Sequence, residues 1–448
     1  MRLTFHGGVE RVTGSNFRLE TTAGTFLIDC GLIQSEHACE QENFAPFAYD
    51  PASISAVLVT HAHLDHVGRL PKLVRDGFRG PIISTPETKV IAQLVLEDGF
   101  KVIHEHCFAT KQEDLYAPED IVRALSQWQT VNYGEPWVHG QLRATFFDAG
   151  HILGSAFIRL EQLEIGASVI FSGDLGNSPN PILPDTAPLP PSDYLVLEST
   201  YGDRNHEHRD ERVKQLGDAI KATIQKRGVL IIPVFAIERT QELLFDIGEL
   251  MAESTVPLLP IFIDSPLALR VTEVYKTHLE RLNPTAQALI QRDELFNCPN
   301  VHNVYSRDDE ERLLRTPNPK IILAGSGMVT GGRILNLLKR YVGEPTTTVL
   351  FVGYQAGGSL GRTILEGERA IRIERELFTV KAKVERLLSY SDHKDQQHLL
   401  EWVKPRRTTL KKIFLSHGDP SAKETLSEKL QALGPAVIIP KLNQSFEL

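Results

Sequence analysis

His61-Ala62-His63-Leu64-Asp65-His66 places four side chains able to bind a metal within six residues. The stretch follows Ala56-Val57-Leu58-Val59-Thr60, a short apolar run that reads as a buried strand. In extended backbone every second side chain shares a face, which would point His61, His63 and Asp65 one way with His66 turning in beside them. Imidazole and carboxylate together suit zinc, with bonds of about 2.0–2.2 Å. One ion rarely takes four ligands from so tight a cluster, so the spacing suggests two adjacent ions that divide them.

Three further stretches have the same form, an apolar strand and then a ligand beside glycine. They are Gly150-His151, Ser172-Gly173-Asp174 and Leu415-Ser416-His417-Gly418. Glycine lets backbone approach closely at such places. The chemistry divides the set as His61, His63 and His151 for one ion and Asp65, His66 and His417 for the other, with Asp174 as the bridge. Two ions held in this way, with a hydroxide as nucleophile, serve phosphoryl transfer. Asp29 also ends a strand, and it is expected to orient a ligand or the water. His104-Glu105-His106 and His206-Glu207-His208 are set aside, because residues two apart on a helix do not face each other.

Elements must carry these ends, and the chain has room for them. At 448 residues it exceeds one ordinary core, so two domains, or one with a large insertion, are expected. With 42% hydrophobic and 23% charged residues it is a globular composition, and no apolar run is long enough to span a membrane. The N-terminus runs directly into strand-like sequence, which reads as no secretory signal. Cys30, Cys39, Cys107 and Cys298 are scattered without a CxxC, which suggests a reducing cytoplasm, no disulfide framework and no thiolate zinc site. The net charge of −9 counts against nucleic acid taken alone, but a metal pair supplies local positive charge.

Strand candidates lie at 3–5, 17–20, 25–30, 142–147, 156–160, 168–172 and 194–197, with a mostly helical stretch at 86–128. After residue 203 strands alternate with helices: 229–234, then 259–263 ending at Asp264-Ser265-Pro266, then 321–324 ending at Gly325-Ser326-Gly327. That alternation implies a parallel α/β layer. A last strand at 413–415 ends at His417, so ligands lie on both sides of the α/β segment. The expected order is a metal-binding domain over 1–203, an inserted α/β domain over 204–388, and the rest of the first domain over 389–448.

The full pattern of Asp29, residues 61–66, Gly150-His151 and Ser172-Gly173-Asp174 resembles the signature of the metallo-β-lactamase superfamily. Glu198-Ser199-Thr200-Tyr201-Gly202, Ser391-Asp392-His393 and Leu415-Ser416-His417-Gly418 resemble motifs A, B and C of the β-CASP nucleases. The segments 232–241, 325–333 and 353–362 resemble the inserted β-CASP domain. The resemblance covers essentially the whole chain. It implies an αββα sandwich interrupted by a β-CASP domain with a largely parallel sheet. Histidine in motif C resembles the RNA-processing branch, near the bacterial and archaeal relatives of the cleavage and polyadenylation specificity factor endonuclease.

The resemblance implies a zinc-dependent ribonuclease holding two Zn2+ per chain, with manganese as an acceptable substitute. Its action would be endonucleolytic or 5′→3′ exonucleolytic. Asp65, Glu198, His393 and Asp29 would serve the chemistry: His393 would touch the scissile phosphate or protonate the leaving oxygen, and Glu198 would fix its tautomer and raise its pKa. Ser326, Gly327, Arg333, Gly358 and Arg362, with His393, would hold the RNA backbone. Single-stranded RNA is the expected partner, with a homodimer allowed and no membrane. A DNA nuclease of the same fold and a non-nucleolytic metallohydrolase are the alternatives. Two departures from the family pattern, Glu238 before Arg239 and Lys394 after His393, are expected to bear on RNA contacts.

Overall fold

A computed structural model of the chain describes residues 1–34, 41–207, 209–291, 296, 300–353, 355, 358–387 and 390–448. Cys39, Cys298, His208, the expected boundary at 388/389, and Tyr354, Ala356 and Gly357 of the glycine-rich segment lie outside the described residues. The chain divides into two compact units. The first takes Met1–Gln34, residues 41–205 and Asp392–Leu448, and the second takes His206–Ser391. Asp392 and His393 therefore belong to the first unit and Ser391 to the second.

The first unit is built on two seven-stranded sheets. One runs in the order Ser445–Glu447, Arg2–Phe5, Phe17–Thr21, Gly24–Ile28, Ala56–Leu58, Ile82–Ser84, Trp128–Thr130. The other runs Ala436–Ile438, Lys412–Ser416, Tyr194–Glu198, Ala167–Phe171, Ala156–Gln162, Leu142–Asp148, Pro136–His139. Alternate residues of both sheets fill one core, in which Phe5, Phe17, Ile28 and Leu58 meet Phe146, Phe171, Val196 and Phe414. The rings of Phe5 and Phe414 stand 5.6 Å apart, and those of Phe17 and Phe171 5.8 Å. On the outer face of the second sheet, Leu195, Leu197 and Leu415 pack against Leu399, Trp402, Leu426 and Leu430 of the helices Gln396–Val403 and Pro420–Gln431. The helices Leu70–Arg75, Pro86–Thr110 and Pro118–Ser126 occupy the connections of the first sheet. This is the αββα sandwich that the resemblance implies.

Strand direction decides where ligands gather. Gly24–Ile28, Ala56–Leu58 and Ile82–Ser84 are parallel, as are Ala167–Phe171, Tyr194–Glu198 and Lys412–Ser416. Asp29, His61, Asp174, Glu198 and His417 thus all end or follow the carboxyl ends of parallel strands, where α/β sheets place their sites.

The second unit has a six-stranded sheet in the order Val301–Asn303, Ile261–Asp264, Lys320–Ala324, Val229–Pro233, Thr348–Phe351, Lys383–Arg386. Every pairing in it is parallel. The expected N-cap is present: Ser265 Oγ accepts from Ala268 N, and Pro266 opens the helix Pro266–Thr277. An antiparallel hairpin, Ala370–Ile373 with Glu376–Thr379, is added to this unit.

Two expectations need correction. The helical stretch at 86–128 ends earlier, because Trp128–Thr130 pairs with Ile82–Ser84 as an edge strand. Cys107 is disulfide-bonded, whereas Cys30 is a free, buried thiol. Sequence spacing carries no information on whether two Cα atoms come within the ~4.4–6.8 Å a disulfide needs. Glu238 and Lys394, the two departures expected to bear on RNA contacts, are both buried, so any such effect is indirect. Glu238 caps the helix Arg239–Ala252 at φ 61, and its Oε2 accepts from Tyr275 Oη at 2.5 Å.

Candidate metal centre

The strand Ala56–Leu58 is wholly buried, and the chain leaving it carries His61 and His63 in extended backbone. His63, at φ −67 and ψ 148, precedes a short helix, Leu64–Val67. Strand-like alternation therefore stops at His63. Asp65 and His66 come from the helical turn and face a different group of ligands than His61 and His63 do. Strand alternation alone predicts Asp65 on the face of His61 and His63; the turn at Leu64 places it instead with His66 and His417, as the division of ligands between two ions expects.

His61 Nε2 and His63 Nδ1 lie 3.1 Å apart, and His151 Nε2 is 3.2 Å from His63 Nδ1. Asp174 Oδ2 stands 3.4 Å from His61 Nε2 and 3.6 Å from His151 Nε2. In the second group His417 Nε2 is 3.3 Å from His66 Nε2 and 3.2 Å from Asp65 Oδ2. Asp174 Oδ1 is 3.5 Å from His66 Nε2 and 3.3 Å from His417 Nδ1. The two oxygens of Asp174 thus face different groups. Donor atoms on a tetrahedron with bonds of about 2.0–2.1 Å stand about 3.3 Å apart, close to the spacing of the first group; the second is looser, with His66 Nε2 4.0 Å from Asp65 Oδ2 and Asp174 Oδ1 nearest His417 at Nδ1. Asp174 Oδ1 is buried and makes no hydrogen bond. A buried carboxylate oxygen left so is costly unless a cation completes it. The donor set fits a divalent metal on both counts, and the cluster is a metal-binding site.

Hydrogen bonds behind the cluster fix which ring nitrogen each histidine presents. Asp29 is fully buried; its Oδ2 stands 2.8 Å from His66 Nδ1, which leaves Nε2 to face inward. Thr60 holds Asp29 in turn, with its N donating to Oδ1 and its Oγ1 to Oδ2, both at 2.8 Å. The carbonyl of Asp392 is 3.1 Å from His151 Nδ1. Thr200 Oγ1 lies 3.3 Å from His417 Nδ1 and donates to the His417 carbonyl. Asp29 and His417 hold φ of 59 and 50, a left-handed conformation that surrounding contacts must enforce. Gly150 does so at φ 64, and a Cβ on Gly176 would come within 1.7 Å of the Gly150 carbonyl oxygen.

Electrostatics divides the histidines. Burial pushes His61 and His151 well below the ordinary imidazole value and His63 down to about 4, so these three are neutral and ready to ligate. Burial opposes charge on His66 as well, but Asp174, Asp29 and Asp65 hold its pKa well above the usual range. Burial would raise Asp174, yet His417, His66 and His61 keep it well below the usual carboxylate value.

His393 stands beside the cluster with its side chain 20% exposed. Its Nδ1 lies 3.3 Å from both oxygens of the fully buried Glu198 and 4.0 Å from Asp174 Oδ2. Burial works against its charge, but Glu198 and then Asp174 raise its pKa to about 9. Glu198 is anchored by Leu175 N at 2.7 Å and Thr200 N at 3.3 Å.

Of the residues expected to hold RNA, His393 lies in the first unit and the others in the second. Arg333 Nη1 donates to Asp264 Oδ1 at 2.6 Å and to the Val304 carbonyl at 3.0 Å. Arg362 is half-exposed and donates to Glu366 Oε1 at 2.6 Å. Ser326 is partly exposed, Gly327 is buried, and Gly358 is exposed at φ 81. Spacing gave no sign of Thr60, Thr200 or the Asp392 carbonyl. Asp392 was visible only as a motif letter, and its carbonyl does the work. Of the two pairs set aside, His104 pairs with Asp114 at 2.8 Å, and neither His104 nor His206 joins a metal-binding group among the described residues.

This fold and this cluster define a metal-binding member of the metallo-β-lactamase superfamily. Residues 25–232 match the Beta-lactamase superfamily domain, 240–364 the Beta-Casp domain, and 378–440 the Zn-dependent metallo-hydrolase RNA specificity domain. Ribonuclease TTHA0252 of Thermus thermophilus is 39% identical over 438 residues, covering 97% of this chain and 95% of its own. Transcription termination factor FttA of Methanosarcina mazei is 31% identical over 440 residues, covering 94% of this chain and 67% of its own. A crystal structure of a protein of unknown function from Enterococcus faecalis V583 shares the fold at a TM-score of 0.58 and 10% identity, over 100% of this chain and 99% of that one. The chain belongs to the β-CASP family of metallo-β-lactamase proteins.

Proposed function

We propose that the chain is a zinc-dependent ribonuclease that hydrolyses phosphodiesters of single-stranded RNA with two metal ions. The observation that carries this reading is Asp174, whose Oδ2 faces His61 and His151 while its Oδ1 faces His66 and His417. One ion would be held by His61, His63, His151 and Asp174, the other by Asp65, His66, His417 and Asp174. When bound, such a pair supplies an activated water and offsets charge on the attacked phosphate. The relatives named as a ribonuclease and a transcription termination factor support RNA as the substrate.

The chain's own groups supply the rest. Asp29 and the Asp392 carbonyl keep the Nε2 atoms of His66 and His151 turned inward. Glu198 accepts from His393 Nδ1 and favours the imidazolium, whose second N–H, at Nε2, would give its proton to the leaving 3′ oxygen. Water adds to phosphorus, the P–O3′ bond breaks, and the products are a 5′-phosphate and a 3′-hydroxyl. A 2′,3′-cyclic phosphate would show attack by the ribose instead and overturn the mechanism.

The test is cleavage of 5′-labelled single-stranded RNA and matched DNA by the purified protein and by His63→Ala, with zinc measured on both. Cleavage of RNA by the wild type alone, with about two zinc ions per chain, is expected. Internal fragments would identify an endonuclease, and released mononucleotides a 5′→3′ exonuclease. Cleavage of the DNA alone would overturn the reading in favour of a DNA nuclease.

A further inference from the structure

Lys394 is 5% exposed, a burial that lysine rarely accepts without a partner. Its Nζ donates to the Gly176 carbonyl at 2.8 Å, and Ser178 Oγ stands 3.5 Å away. Gly176 lies two residues beyond Asp174 on the loop that follows the strand Ala167–Phe171. Two backbone hydrogen bonds, which together make one bridge, join the same two segments. Gly176 and His393 form an isolated antiparallel bridge, Lys394 N donates to the Leu175 carbonyl at 2.7 Å, and Asn177 N donates to the Asp392 carbonyl at 3.0 Å. That Asp392 carbonyl also meets His151 Nδ1. One short segment therefore sets the His151 ring, presents His393, and is fastened to the loop of the bridging aspartate.

We propose that Lys394 is a positioning residue, whose ammonium clamps segment 392–394 onto the Asp174 loop and so sets the place of His393. The bond from Nζ adds a side-chain tie to a bridge of only one residue pair, which by itself is a weak attachment. A group placed about 1 Å wrongly can cost a hundredfold in rate, so even a slight loosening should be visible. Burial lowers the pKa of Lys394 to about 8, which leaves the ammonium form present at neutral pH.

The proposal rests on the reading of His393 as a group acting on RNA, and its test separates the two. Lys394→Met keeps the aliphatic stem and removes the donor, and Lys394→Arg restores one. On the metal-loaded full chain, Lys394→Met should lower kcat on labelled single-stranded RNA about tenfold, with KM and bound zinc unchanged. Amide hydrogen exchange at Asn177 and Lys394 should quicken about tenfold. Lys394→Arg should recover most of both losses. Unchanged kcat together with unchanged exchange overturns the proposal. So does a fall in thermal stability or zinc content that accounts for the whole loss of rate. If Lys394→Met does not fold, Lys394→Thr reads the same quantities. A wild-type protein that binds zinc but cuts no RNA refutes the ribonuclease reading, and hydrogen exchange still decides the clamp.

Discussion

The two units treat their polar groups in opposite ways. In the first, seven side chains able to bind a metal converge on a buried centre, and Asp174 Oδ1, the oxygen proposed to bridge, makes no hydrogen bond. In the second, several buried charged side chains are ion-paired with one another. Arg239 donates to Glu242, Arg212 lies 3.7 Å from Glu242 and 3.6 Å from Asp246, and Tyr390 donates to Asp246 at 2.7 Å, all of them buried. An arrangement whose groups face inward with one left incomplete is made to take up a cation. An arrangement whose buried charges are paired internally is a scaffold, and only what it leaves at the surface can grip a ligand.

The sharpest way to break the comparison is to remove the bridge. Asp174→Ala should lower kcat by about four orders of magnitude and strip zinc from the chain, since both groups share that carboxylate. The second unit should be indifferent. Hydrogen exchange at its central strand Val229–Pro233 should not change. Full activity with both metals retained would refute the bridge. Next in size is His393→Ala, which should cost about a thousandfold in kcat with zinc content intact, if His393, which also forms a group able to hold a metal with Asp174 and Glu198, serves as the acid held by Glu198. Loss of zinc from this variant would move His393 into the metal site. Smaller again is Asp29→Asn, which keeps the size but weakens the hold on His66 Nδ1. It should reduce zinc affinity about 10–100-fold at one of the two sites, measured by competition with a chelator. Equal loss at both sites would mean that Asp29 supports the loop and not the one ring.

The same contrast explains what could be read from the sequence. Ligands at strand ends were legible because histidine and aspartate beside glycine after an apolar run have few other uses. The alternating pattern of the sheets was legible for the same physical reason, burial on a period of two. The alternation failed at Asp65 because a helix begins at Leu64, and no residue in the stretch signals that start. The Asp392 carbonyl was illegible because it is backbone, 241 residues from the ring it orients. Lys394 and Glu238 looked like surface departures, since a charged residue in a sequence gives no hint of a buried partner such as the Gly176 carbonyl or Tyr275. Arg333 looked equivalent to Arg362 beside a glycine-rich turn, and only the fold distinguishes them.

That last distinction yields the smallest predicted effect and the finest test of the comparison. Arg333 is bound to Asp264, whose carboxyl burial pushes above its usual pKa, and to the Val304 carbonyl. Arg362 is half-exposed, with one surface partner, Glu366, in an i,i+4 pair of the kind that stabilises little. Arg362→Ala should therefore raise KM for RNA about threefold to tenfold, leave kcat and thermal stability unchanged, and reduce the salt dependence of binding by about one charge. Arg333→Ala should act first on stability, because it leaves a buried carboxylate without its cation. Its melting temperature should fall before any effect on KM appears. If instead Arg333→Ala left the melting temperature alone and changed the salt slope as Arg362→Ala does, the ion pair with Asp264 would be one that RNA displaces. The second unit would then resemble the first in holding a charge in reserve.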